Sequence, residues 1–132
     1  MPKILLSYRR SDSQAMAGRV FDWLVHHYGE ESIFIDIDDI PIGTDFRAYI
    51  AKHMSAADLV LAVIGPRWLG PRENAPNRIY DADDPVAIEV QSALAQSIPI
   101  IPVLVDGARM PGRVDLPENL SEFASIARRK RS

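Results

Sequence analysis

From its amino terminus the chain alternates short apolar runs with longer stretches of helical periodicity. It opens on Lys3-Ile4-Leu5-Leu6-Ser7-Tyr8-Arg9-Arg10, where three apolar residues run into a serine, a tyrosine and two arginines. So short a continuous run predicts a strand buried on both faces. Residues just past its carboxyl end then face the crevice where open α/β sheets bind ligands. Arg9 and Arg10 are therefore either a cationic lip of that crevice or a solvated turn. Ser11, Asp12 and Ser13 offer caps for a helix with Ala17, Val20, Phe21, Leu24 and Val25 on one face, stopped near Tyr28-Gly29. Ser32-Ile33-Phe34-Ile35-Asp36 predicts a second strand with Asp36, Asp38 and Asp39 crowding its end, and Ile40-Pro41-Ile42-Gly43 predicts a turn.

The second half repeats the alternation. Thr44 or Asp45 caps a helix burying Phe46, Ile50 and Met54, and Asp58 to Ile64 is the longest strand signal, placed centrally. Gly65 to Asp84 is irregular and rich in proline and glycine, the kind of long loop that carries function or moves. Asp83 or Asp84 then caps a helix with Pro85 at its first position and Val86, Val90, Ala93 and Leu94 as its buried stripe. Ile98 to Val105 is a fourth strand, its prolines pointing to the sheet edge, and a last strand or helix is expected around Phe123 and Ile126.

Strands alternating with helices predict an α/β fold: a flavodoxin-like parallel sheet of order 2-1-3-4-5 flanked by helices. Its winding reverses between the first and third strands, so a site is expected from Ser7 to Arg10, Gly65 to Trp68, and the start of the helix after the third strand. Glu89 lies early in that helix, beside the buried stripe. It either leans into the crevice or is an idle residue favoured by the helix dipole.

Composition narrows the chemistry. With 132 residues, 47% hydrophobic and 25% charged, the chain has room for one core. A net charge of −3 argues against nucleic acid as main partner. There are no cysteines, which removes thiolate chemistry and suits a reducing cytoplasm. His26, His27 and His53 show no metal-ligand spacing, and no apolar run is long enough for a membrane span. No glycine-rich phosphate loop follows the first strand. A phospho-acceptor receiver domain would need acidic residues where Ser7 to Arg10 and Gly65 to Trp68 stand.

Five segments, in order and with fitting intervals, resemble the boxes of the Toll/interleukin-1 receptor (TIR) domain in its bacterial form. They are Ile4 to Asp12, Ala17 to Leu24, Phe34 to Phe46 with the so-called BB loop, Val60 to Trp68, and Pro99 to Val105. The resemblance implies a single TIR domain over residues 1–132, the amino-terminal part of a longer multidomain protein. Many bacterial and plant members cleave NAD at the nicotinamide–ribose bond, some then cyclising or transferring the ADP-ribose; animal members mostly act as scaffolds. It implies Glu89 as the catalytic glutamate, with Pro85 standing where enzymatic relatives often carry tryptophan. Ser7, Tyr8, Arg9 and Arg10 would hold the substrate, the arginines countering its diphosphate. Asp36 would bind a ribose hydroxyl or cap the BB loop, and Trp68 would supply aromatic surface or pack in the core. Ile40, Pro41, Ile42 and Gly43 would form the contact through which protomers assemble. NAD is then a substrate rather than a cofactor, no metal is required, and the partners are NAD and other TIR domains. Two functions follow: an assembly-activated NAD glycohydrolase of bacterial immunity, or a non-catalytic TIR interaction module or mimic of host adaptors.

Overall fold

The computed structural model describes residues 2–34 and 45–126. Four parallel strands, β1 (Ile4–Ser7), β2 (Ile33–Phe34), β3 (Leu59–Ile64) and β4 (Ile100–Leu104), lie in the order β2-β1-β3-β4. Three helices join or follow them: α1 (Arg10–Tyr28), α2 (Phe46–Ala56) and α3 (Pro85–Ala95). This is the expected order through its fourth position. The stretch left open between strand and helix is turn and helix at residues 118–126, so the described sheet has four strands rather than five.

The apolar runs of β1 and β3 are continuous because alternate residues serve opposite layers. Leu5, Val60, Ala62 and Ile64 pack with Met54 of α2 and Val86, Val90 and Ala93 of α3. Leu6 and Val63 pack instead with Ala17 of α1, and Ile4 with Leu24. The same parity places Ser7, two residues beyond Leu5, on the α3 side, and Tyr8 with the α1 layer.

Two caps fall where the sequence put them. The Asp45 carboxylate accepts from the Arg47 amide at the start of α2, and Asp84 accepts from the Ala87 amide at the start of α3, with Pro85 exposed at the first helical position. The start of α1 differs from expectation. None of Ser11, Asp12 or Ser13 is its cap; the helix begins at Arg10, and the Arg9 carbonyl accepts from the Asp12 and Ser13 amides. Asp12 is engaged elsewhere, accepting from the amides of Gly65 at 2.8 Å and Arg67 at 2.6 Å. This fastens the first turn of α1 to the loop after β3, beside a kink in the helix at Ser13.

That fastening leaves no room at Gly65, where an added Cβ would meet an Asp12 carboxylate oxygen at 2.6 Å. Gly65→Ala should therefore cost about 1–3 kcal/mol, the usual range for overpacking. Gly18→Ala, into open space on α1, should cost nothing. Thermal unfolding of both variants checks this, and equal losses would contradict it.

Candidate functional site

Glu89 projects from α3 against the end of β1 and is fully buried. Its Oε1 accepts a hydrogen bond from the Ser7 hydroxyl at 2.9 Å, and its Oε2 has no partner among the described residues. Glu89 is among the residues that line a cleft of about 400 Å³, with Leu5, Ile33, Phe34, Tyr49 and His53. That volume is in the ordinary range for small-molecule sites, about 300–1,000 Å³. The walls are mostly apolar, so the carboxyl group has little to solvate a negative charge. Burial raises its pKa from 4.5 to about 8; the Ser7 hydrogen bond opposes this, the charge on Asp84 adds to it, and Arg9 opposes it. At neutral pH Glu89 is held mainly as the neutral acid.

Arg9 is not on the lip of the cleft. Its side chain is buried, with Nη1 and Nη2 donating to the two carboxylate oxygens of Asp84 at 2.8 and 2.7 Å and Nε donating to the Trp68 carbonyl at 2.7 Å. A guanidinium taken out of water needs partners, and Asp84 and the Trp68 carbonyl take three of its five N–H donors. Gly70 makes the arrangement possible: at φ +73° it turns the loop over Arg9, and a Cβ there would meet the Arg78 side chain at 2.6 Å and the Arg9 guanidinium carbon at 3.1 Å. Trp68 is likewise a core residue, 1% exposed and packed on Phe123 with ring centroids 5.5 Å apart, rather than an aromatic surface for a substrate.

Of the remaining expected residues, Ser7 is joined to Glu89, Tyr8 is half-buried against α1, and Arg10 is exposed on the first turn of α1. Asp36 and the loop residues Ile40, Pro41, Ile42 and Gly43 lie outside the described residues. Among the described residues no group of three or more histidine or acidic side chains could hold a metal ion, and no helix is long and apolar enough to cross a membrane. Sequence reading missed Asp84 as the partner of Arg9. A capping aspartate followed by Pro85 signalled a helix start, but nothing local signalled an ion pair across 75 positions.

The raised pKa of Glu89 has a stability consequence. The native chain keeps a proton that the unfolded chain releases near 4.5, so stability is full below that pH and falls as pH rises toward about 8. The slope approaches about 1.4 kcal/mol per pH unit. Glu89→Gln has no charge to bury, so its melting temperature should match the parent's near pH 4.5 and exceed it increasingly toward pH 8.5. Parallel melting curves over that range would contradict the burial of the carboxyl group.

A family model described as TIR domain matches residues 4–130. Among solved structures, the chain is similar to a metazoan TIR-STING receptor from C. gigas, with 17% identity, a TM-score of 0.60, and coverage of 93% of this chain and 36% of that one. It is also similar to the TIR domains of the activated Roq1 resistosome, with 13% identity, a TM-score of 0.59, and coverage of 99% and 71%. The chain thus spans about a third of the length of the first of these. No curated protein matches it.

Proposed function

The chain belongs to the TIR-domain family, and from that membership we propose that it is an NAD glycohydrolase with Glu89 as its catalytic carboxyl. The observation that carries the reading is the Glu89 side chain itself: buried beside a cleft, one oxygen held by Ser7, the other without a partner among the described residues. A protein does not bury an unsatisfied carboxyl group for stability, since its desolvation costs several kcal/mol or forces the group to hold a proton. Such groups collect at functional sites.

The chemistry suits that arrangement. The nicotinamide of NAD is a cationic pyridinium, so the bond from its nitrogen to the ribose C1′ breaks with both electrons going to nitrogen, and neutral nicotinamide leaves. The ribose left behind is oxocarbenium-like, as in glycoside cleavage. A carboxylate beside it, in a site with little water, stabilises the developing positive charge more than solvent would. Water then adds at C1′ and loses a proton, giving ADP-ribose; attack by a nitrogen of the adenine ring gives a cyclic product instead. Glu89 must be ionised for this, and a cationic ring drawn into the cleft favours the ionised form. Ser7 fixes Oε1 and leaves Oε2 to face the substrate.

In this reading the protein is an effector of bacterial immunity, active when assembled with other TIR domains. A non-catalytic interaction module is the second reading. It is favoured by the closure of Glu89, which has no exposed surface, and by Pro85 standing exposed where enzymatic relatives often carry tryptophan.

Nicotinamide release from NAD, followed by chromatography at high protein concentration, separates the two. The parent should turn over, and Glu89→Ala should lose at least about 10²–10³-fold while the chain stays folded. Equal rates would remove Glu89 from the reaction, and no turnover under any assembly condition would leave the interaction module. Assembly has its own test. Specific activity should rise with protein concentration, alongside light scattering, and Ile42→Asp should suppress both, because a carboxylate buried at a contact is costly. Constant specific activity across the dilution series, with an active Ile42→Asp protein, would show that each monomer carries a complete site.

A further inference from the structure

We propose that the Arg9–Asp84 ion pair is the positioning device of the site, fixing the first turn of α3 to the end of β1 and thereby holding the Glu89 carboxyl in register with Ser7. The proposal rests on the reading of Glu89 as the reacting group, and it assigns work to two residues that touch neither substrate nor the bond that breaks.

The geometry is a closed ring. From Ser7 the backbone passes Tyr8 to Arg9, whose guanidinium crosses to Asp84 through hydrogen bonds of 2.8 and 2.7 Å. The first turn and a half of α3 leads from Asp84 to Glu89, which returns to Ser7 at 2.9 Å. Apolar packing of Val86, Val90 and Ala93 holds α3 on the sheet, but such contacts are non-directional, and with Glu89 as the one polar tie the helix could still shift in register about that bond. A second tie one and a half turns away removes that freedom. The tie is stiff at both ends. Asp84 is fixed to its own helix by the Ala87 amide, and Arg9 is fixed to the loop after β3 by the Trp68 carbonyl. The planar guanidinium meets the carboxylate through two parallel bonds, a geometry a lysine cannot reproduce.

The pair also sets the field at Glu89. Among the described residues, the charged and titratable groups facing that carboxyl are Arg9 from the end of β1 and Asp84 from its own helix. Glu30, before β2, and Tyr49 and His53 of α2 line the same cleft. Arg9 and Asp84 act on it with opposite sign, Asp84 favouring the neutral acid and Arg9 the carboxylate. Removing the charge of Asp84 alone leaves Arg9 facing Glu89 without its counter-ion, which favours the ionised carboxylate.

The test uses the whole chain. Asp84→Asn keeps an oxygen for the cap and for Arg9 while removing the charge; Arg9→Lys keeps the charge while removing the fork and the bond to Trp68. Glutamate carboxyl carbons are followed by NMR against pH, with Glu89 assigned by its absence in Glu89→Gln. In Asp84→Asn the Glu89 midpoint should fall by about one pH unit, a tenfold change in proton affinity. In Arg9→Lys the midpoint should move less, but kcat for nicotinamide release should fall about tenfold or more with KM nearly unchanged, as displacement of a reacting group predicts. An unmoved midpoint in Asp84→Asn, or a parental kcat in Arg9→Lys, would overturn the proposal. If Arg9→Lys does not fold, the Asp84→Asn titration decides. A shifted midpoint in a parent chain that never releases nicotinamide would support the coupling of pair and carboxyl and remove the NAD reading instead.

Discussion

A strand buried on both faces leaves no water for the polar groups at its carboxyl end, and the organisation of this molecule around β1 follows from that constraint. Ser7, Arg9 and Asp12 all leave the strand within one turn of chain, and each is satisfied by a residue far along the sequence: Glu89, Asp84, and the amides of Gly65 and Arg67. An unsatisfied buried polar group costs about 1–3 kcal/mol, and a broken buried ion pair about 3–5 kcal/mol. These partners therefore fix how the third strand's loop and the third helix sit on the sheet. Packing of Leu5, Val60 and Ile64 against α3 supplies the bulk of the burial. The polar links decide its register.

Among the described residues three buried groups depart from the rule, the Ser13 hydroxyl, the Trp68 indole N–H and Glu89 Oε2, and only the last belongs to an ionisable group. The chain meets the cost by keeping the proton on, so the resting carboxyl is neutral at neutral pH. A neutral acid is inert toward a carbocation, and a ligand that brings positive charge into the cleft changes that state. In the proposed reaction, binding and activation are linked through the protonation of one side chain. Arg9, which the family resemblance set against a diphosphate, is instead paired with Asp84.

The fold was readable because it rests on local signals. Continuous apolar runs marked β1 and β3, helical spacing marked α1 to α3, and Asp45 and Asp84 with Pro85 marked helix starts. Glu89 was readable as a candidate from its place in the helix after the third strand, and Ser7 from its place at the end of the first. Parity along β1 even gives the face: Ser7 follows Leu5 by two, so it points toward α3. The roles of Arg9, Asp12 and Trp68 were not readable. Each is decided by a contact made across more than fifty residues, and an arginine looks the same in sequence whether it meets water, a phosphate or a buried aspartate. Charge near a crevice was a reasonable sign of a ligand, and here the carboxylate that answers it lies within the protein.

In the proposed reaction a single buried carboxyl group, neutral at rest, must ionise before the bond to nicotinamide breaks. The pH dependence of kcat/KM for nicotinamide release addresses it directly, because that ratio reports the ionisation of the free protein. The ratio should rise about tenfold per pH unit below a midpoint near 8 and level off above it. A profile flat from pH 6 to 9, or one whose midpoint lies near the 4.5 of an ordinary glutamate, would contradict it.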